Sequence, residues 1–313
     1  MSGTVFQFDW EIRLMEWLQS IVAANPFMIY IIKAITQFGE PVFSALIIAY
    51  IYWNHDKRKG MRIAVDVLGT MIVNNQIKNI FDRMRPYMTN ETIECLYPVD
   101  PDYPLDDIFR QGYSFPSGHT ANVTSIFVSL FLQDGKKILL SLGSILVFLI
   151  CFARVAVGVH YPTDVLAAVI VGIVTPIVAE LLQDKYEPKI LYPVIILYTL
   201  MGVLFCMTDD YLSCTGIIIG FLLADLYDER HGSFKTTANK LRGLIRTLFG
   251  GIIFLSISYL MKYPFEHLSA DLPQLFFRFL RLLRYGTATF ITMGVYPRLF
   301  RYNIFRFNEK EDQ

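Results

Sequence analysis

The chain of 313 residues is 54% hydrophobic and 18% charged, with a mean hydropathy of +0.41, whereas ordinary soluble domains sit near ~45–50% apolar and ~25% charged. Its 28 basic and 28 acidic residues cancel, so no long-range field draws it to nucleic acid and no nucleic-acid partner is indicated. Cys95, Cys151, Cys206 and Cys214 lack paired metal spacing, which argues against a zinc site or a disulfide framework.

In chain order, the apolar residues gather into blocks near the ~17–25 residues that cross a bilayer. These predict an all-α, polytopic transmembrane helical bundle of about nine spans, near 40–53, 61–81, 119–132, 138–156, 163–182, 190–207, 212–226, 248–261 and 286–299. Residues 17–38 are apolar but broken by Asn25-Pro26 and carry Lys33, the pattern of one irregular span or of two interfacial helices. Residues 272–284 set Arg278, Arg281 and Arg284 among Leu and Phe, which reads as a further interfacial helix. Residues 1–10 lack the progression of a cleavable signal peptide.

Lys and Arg alternate between connections. They collect at Lys57, Arg58, Lys59 and Arg62, at Lys136 and Lys137, at Lys185 and Lys189, at Arg230, Lys235, Lys240, Arg242 and Arg246, and at Arg298, Arg301, Arg306 and Lys310. Positive loops stay in the cytoplasm. The connections at 83–115, 157–162, 208–211 and 263–285 are therefore extracytoplasmic, and the first of them is mostly acidic. Cys206 and Cys214 flank one of these and could pair in an oxidising compartment, two separate thiols being the simpler reading.

Three polar clusters fall at the outer ends of spans, where charge is costly and marks candidate functional sites. Lys78 and Arg85-Pro86 are seven residues apart, about two helical turns along one face, and two cations there can clamp an anion. Ordinary terminal charges would look the same. Pro116-Ser117-Gly118-His119 opens a span, so the helix N-terminus, the Ser117 hydroxyl and the bare Gly118 offer an anion cradle beside a histidine able to give a proton. A plain Ser cap is the structural alternative. In Arg154 to Asp164 the sequence Arg-Val-Ala-Val-Gly-Val-His-Tyr-Pro-Thr-Asp starts a helix at Pro162. Asp164, four residues after His160, can then fix the imidazole tautomer, either for chemistry or as a structural hydrogen bond. The topology delivers all three clusters to one membrane face, and their joint inventory suits phosphoryl transfer through a histidine.

These residues resemble the three-part signature of the type 2 phosphatidic acid phosphatase superfamily, with Lys78 and Arg85-Pro86 matching its first motif, Pro116 to His119 its second, and Arg154, His160 and Asp164 its third. The resemblance implies a metal-independent phosphoric ester or diphosphate hydrolase without cofactor, acting at the extracytoplasmic rim. It makes His160 the nucleophile, Asp164 its orienting partner and His119 the proton donor to the leaving oxygen. Lys78, Arg85, Ser117, Gly118 and Arg154 would hold the phosphate. One departure is visible, Ala153 standing where the motif usually has Ser, which should tune activity without abolishing it.

The resemblance implies a substrate that is a lipid phosphate or isoprenyl pyrophosphate reaching the site from the bilayer. A soluble sugar phosphate, or a non-catalytic lipid-binding role, is the alternative. Short loops and few cysteines point to a bacterial plasma membrane. The chain divides into 1–39, interfacial or irregular membrane helices, 40–184, the phosphatase core, and 185–313, a transmembrane extension. That extension could serve lipid access, a partner or a homodimer. Its Asp225, Asp228 and Glu229 read as loop charges.

Overall fold

The structure is a computed structural model and describes residues 6–232, 234–266 and 274–301. Among them it is helical, with no β-strand. The helices are α1 (Asp9–Ala23), α2 (Pro26–Gln37), α3 (Pro41–Asn54), α4 (Lys57–Phe81), the short α5 (Pro86–Thr89) and α6 (Ile108–Gln111), α7 (Gly118–Asp134), α8 (Lys137–Ala156), α9 (Pro162–Lys185), α10 (Pro188–Gly202), α11 (Asp209–His231), α12 (Lys240–Glu266) and α13 (Gln274–Phe290). A π-helical turn, Ile291–Val295, and a 3₁₀ turn, Tyr296–Arg301, follow. Leu272, Arg306 and Lys310 lie outside the described residues.

Among the described residues, four helical segments are long and apolar enough to cross a membrane: Lys137–Ala156, Pro162–Lys185, Asp209–His231 and Lys240–Tyr263. Pro41–Asn54 and Pro188–Gly202 are shorter apolar helices. The protein is an integral membrane helical bundle. The chain divides into two compact units, residues 1–44 with 70–179, and residues 45–69 with 180–313.

In the first unit the 17–38 region is two helices. Asp9–Ala23 and Phe27–Gln37 meet at 116°, because Pro26 opens α2 and the Asn25 side chain accepts the Phe27 amide at 3.1 Å, a local cap that competes with helix continuation. One face of α1 carries Glu11, Met15, Leu18 and Val22, all buried. The three apolar members pack with Ala153, Val155, Ala156, Val157, Val159, Tyr161 and Val165. Burial of each such side chain contributes ~1.5–3 kcal/mol, and it clamps α1 over the segment that carries the third motif. Ala153 belongs to this apolar cluster.

In the second unit the structure departs from two expectations. Residues 274–301 form one helical run rather than an interfacial helix followed by a separate span. The run packs along α11 so closely that a Cβ at Gly220 would lie 2.3 Å from the Gly286 carbonyl oxygen, an approach only small residues permit. Arg281 is held there by an ion pair with Asp209 and by donating from Nε to Ser213 Oγ at 3.0 Å. Asp225 and Asp228, expected as loop charges, are buried on α11. Lys57 Nζ lies 3.0 Å from Asp225 Oδ1 and 2.8 Å from Asp228 Oδ2, and the Tyr192 hydroxyl donates to Asp225 at 2.8 Å. Buried carboxylates persist when paired in this way. Cys206 and Cys214 are free thiols.

Candidate active site

All the sequence-predicted site residues fall in the first unit. Helix α4 ends at Phe81, where Asp82 takes a left-handed φ of 49° and its amide donates to the Lys78 carbonyl at 3.1 Å. The chain then runs extended into Arg85 (ψ 152°), as the following Pro86 requires. Lys78 and Arg85 therefore do not share a helix face, which corrects the expectation from their spacing. Arg85 is buried, 2% exposed. It donates from Nη1 to the Val159 carbonyl at 2.9 Å, from Nη2 to Gln111 at 2.7 Å, and from Nε to Gln111 and Gly112, both at 2.9 Å. One guanidinium thus ties the first motif to the loop before the second and to the third.

Helix α7 starts at Gly118 with Ser117 in the N-cap position. The Ser117 side chain makes no cap bond, and its buried Oγ has no hydrogen-bond partner among the described residues, so the plain-cap alternative fails. The Ser117 amide donates to the Asp164 carbonyl at 3.2 Å, joining the second motif to the third. A Cβ on Gly118 would meet nothing nearer than Met71 Cε at 3.9 Å, so protein packing does not demand glycine there. His119 sits in the first turn, its Nε2 2.9 Å from Glu40 Oε1.

Arg154, in the last turn of α8, is 2% exposed, yet its Nε and Nη2 have no hydrogen-bond partner among the described residues. Buried donors left unmade cost ~1–3 kcal/mol and more for charged groups, so these donors of Arg154 are open to a further acceptor. His160 follows, 2% exposed, with Nδ1 3.5 Å from Asp164 Oδ2. That is longer than a hydrogen bond, since Oδ2 already accepts the Tyr161 amide at 2.8 Å. Burial first, then the charges of Arg85, Arg154, Lys78 and His119, hold the His160 imidazole well below its ordinary pKa. The charges that bear on this imidazole come from all three motifs, and with burial they disfavour its protonation.

Residues 59–187 match the family described as the PAP2 superfamily, and residues 212–306 match the one described as PAP2 superfamily phosphatase, transmembrane extension. The chain belongs to the PAP2 superfamily. It is 28% identical over 152 residues to an undecaprenyl-diphosphatase of Sulfolobus acidocaldarius, covering 49% of this chain and 67% of that one. It is 26% identical over 159 residues to undecaprenyl-diphosphatase BcrC of Bacillus subtilis, covering 49% and 74%. With phosphatidylglycerophosphatase B of Bacillus subtilis the figures are 28% over 116 residues, 34% and 55%.

Around the PAP2 signature lie three side chains that the sequence reading did not single out. Arg83, fully buried, donates from Nη1 to Asp164 Oδ1 at 2.6 Å and to Thr163 Oγ1 at 2.7 Å, and from Nη2 to Glu11 Oε2 at 2.9 Å. Its guanidinium carbon also stacks 3.8 Å from the Tyr161 ring centroid. Glu11 in turn accepts the Thr163 amide at 3.1 Å and its hydroxyl at 2.6 Å. Glu40 is the partner of His119. Glu11 stands 72 positions from Arg83, and no local spacing signals that pairing; Arg83 lay within the first motif as an unassigned cation.

Proposed function

We propose that this PAP2 protein hydrolyses the phosphate ester or diphosphate of an amphipathic lipid through a phosphohistidine on His160. The observation that carries the reading is Arg154, buried with unmet donors and with its charge bearing on the His160 imidazole; the Ser117 hydroxyl is likewise buried and unmet among the described residues. Arg154, Lys78, Arg85, Ser117 and the Gly118 amide receive the phosphoryl oxygens, and Asp164 faces Nδ1 so that Nε2 attacks. In the first half the Nε2–P bond forms, the P–O bond to the leaving group breaks, and His119 gives that oxygen a proton. In the second half water attacks phosphorus, the P–N bond breaks, and His119 takes the proton from water. The cations supply the charge stabilisation that a metal supplies in other phosphatases.

The relatives named above act on undecaprenyl diphosphate and phosphatidylglycerophosphate by their names, and an isoprenyl diphosphate or a glycerophospholipid phosphate is the corresponding substrate here. The alternation of Lys and Arg supports an extracytoplasmic rim for the site, and the short loops and few cysteines support a bacterial plasma membrane. Residues 40–184 act as the phosphatase core. Residues 1–39 brace it, and 185–313 form a membrane extension.

The test is phosphate release by detergent-purified protein in EDTA from undecaprenyl diphosphate, phosphatidylglycerophosphate, phosphatidic acid and glucose 6-phosphate, with His160→Ala as control. EDTA-resistant release that vanishes in the variant, and ranks lipids above the sugar phosphate, is the expected result. Release that persists in His160→Ala, or is confined to glucose 6-phosphate, contradicts the proposal.

A further inference from the structure

We infer that Glu40 is a positioning residue for His119, holding its Nε2–H and so presenting Nδ1 as the nitrogen that exchanges a proton with the leaving oxygen. The inference rests on the proposed role of His119 and adds a residue outside the three motifs.

Glu40 Oε1 lies 2.9 Å from His119 Nε2, inside hydrogen-bonding distance. The contact is built rather than incidental, because the Gly39-Glu40 segment is docked on the first turns of α7. Asn122 Nδ2 donates to the Gly39 carbonyl at 3.1 Å and to that of Glu40 at 3.2 Å. A Cβ on Gly39 would lie 2.8 Å from His119 Cβ and 3.0 Å from Cδ2, so the imidazole rests against bare backbone. The His119 side chain is 16% exposed and that of Glu40 40%, which sets the pair at the edge of the site.

The charges on His119 give the carboxylate its purpose. Burial first, then the charge of Arg154 from α8, with a smaller contribution from Lys78 on α4, opposes the protonated form of this imidazole, and Glu40 is the group that favours it. A general acid must hold a proton before the leaving oxygen needs it. A carboxylate on Nε2 fixes the tautomer and favours the imidazolium, as an aspartate does for a catalytic histidine. The cycle balances without a proton on Glu40. The Nδ1 proton goes to the leaving oxygen while the Nε2 proton stays on the imidazole, hydrogen-bonded to Glu40, and Nδ1 later takes a proton from the attacking water.

The test compares leaving groups. Loss of acid assistance slows release of a poor leaving group, an alkyl alcohol, far more than that of p-nitrophenolate, whereas general damage slows both alike. Steady-state rates would be measured with a short-chain phosphatidic acid and with p-nitrophenyl phosphate for wild type, Glu40→Ala, Glu40→Gln, Glu40→Asp, His119→Ala and His160→Ala. Glu40→Ala should lower kcat for the alkyl ester on the order of 10–100-fold, with KM unchanged and p-nitrophenyl phosphate largely spared. His119→Ala should show the same selectivity, Glu40→Gln should retain an intermediate rate, and Glu40→Asp should recover part of it. Wild-type rates in Glu40→Ala, or equal losses on both substrates, would overturn the inference. Activity surviving in His160→Ala would instead overturn the reading on which it rests, and the inference with it.

Discussion

Arg83 Nη1 lies 2.6 Å from Asp164 Oδ1, and Arg83 Nη2 lies 2.9 Å from Glu11 Oε2, with all three side chains fully buried. The carboxylate that faces the His160 imidazole is therefore itself held from behind, by an arginine that α1 locks in place. Removing one member of a buried ion pair leaves an uncompensated charge and costs ~3–5 kcal/mol. Glu11→Gln and Arg83→Met should each destabilise on that scale and lower turnover. The double variant should lose less than the two single losses combined, since the residues act as one network. Thermal unfolding in detergent with a phosphate-release assay checks this, and strict additivity would count against it.

Arg154 should behave in the opposite way. Its buried Nε and Nη2 lack hydrogen-bond partners among the described residues, so the free protein gains little from the charge, whereas a bound phosphate gains much. Arg154→Met is expected to leave the unfolding midpoint unchanged or raised, while kcat falls ~10²–10³-fold, the usual cost of losing one preorganised donor. A variant that unfolds earlier in proportion to its lost activity would mean that the arginine is structural.

The burial of His160 has a signature in stability. The folded imidazole resists protonation, its pKa lying well below the ordinary value, while the unfolded chain takes up that proton near pH ~6.5. Below that pH the unfolded state binds more protons, so this residue's contribution to stability is present above ~6.5 and falls as the pH drops. His160→Gln should flatten the decline of the unfolding midpoint between pH 7 and pH 5. An identical slope in wild type and variant would show the imidazole to be freely protonated in the folded state.

How much of this was legible in the sequence depended on the range of the contact. Ser117, Gly118, His119, Arg154, His160 and Asp164 lie within or beside short segments whose helix starts, at Gly118 and at Pro162, are written by Ser-Gly and by Pro. Lys78 and Arg85 were found, but through a helix that ends at Phe81 before reaching Arg85. Asp82 in a left-handed conformation and the restriction imposed by Pro86 break it, a local conflict that periodicity does not register. Glu11 and Glu40 were invisible as partners because their targets, Arg83 and His119, are 72 and 79 positions away. Residues 274–301 were legible as a helix for their apolar pattern, but their packing on α11, where Gly216 and Gly220 meet Leu282 and Gly286, is a long-range apposition that no local spacing signals.

In the second unit, Lys57 lies between the buried Asp225 and Asp228. Lys57→Met would strand two carboxylates of like sign, so a loss of ~3–5 kcal/mol is expected there. The protein that remains folded should hydrolyse its substrate with unchanged KM, because none of these groups belongs to the phosphate site. A selective loss of substrate affinity in Lys57→Met, with the unfolding midpoint unmoved, would assign the cluster a part in binding.

The central claim is that phosphate passes through a covalent bond to His160, and trapping that bond tests it most directly. Enzyme mixed with radiolabelled phosphatidic acid, quenched in alkali within one turnover and digested for mass spectrometry, should carry a base-stable, acid-labile phosphoryl group on the peptide containing His160. His160→Ala should carry none. A quenched enzyme without label during steady turnover, or label on His119 instead, would contradict the account.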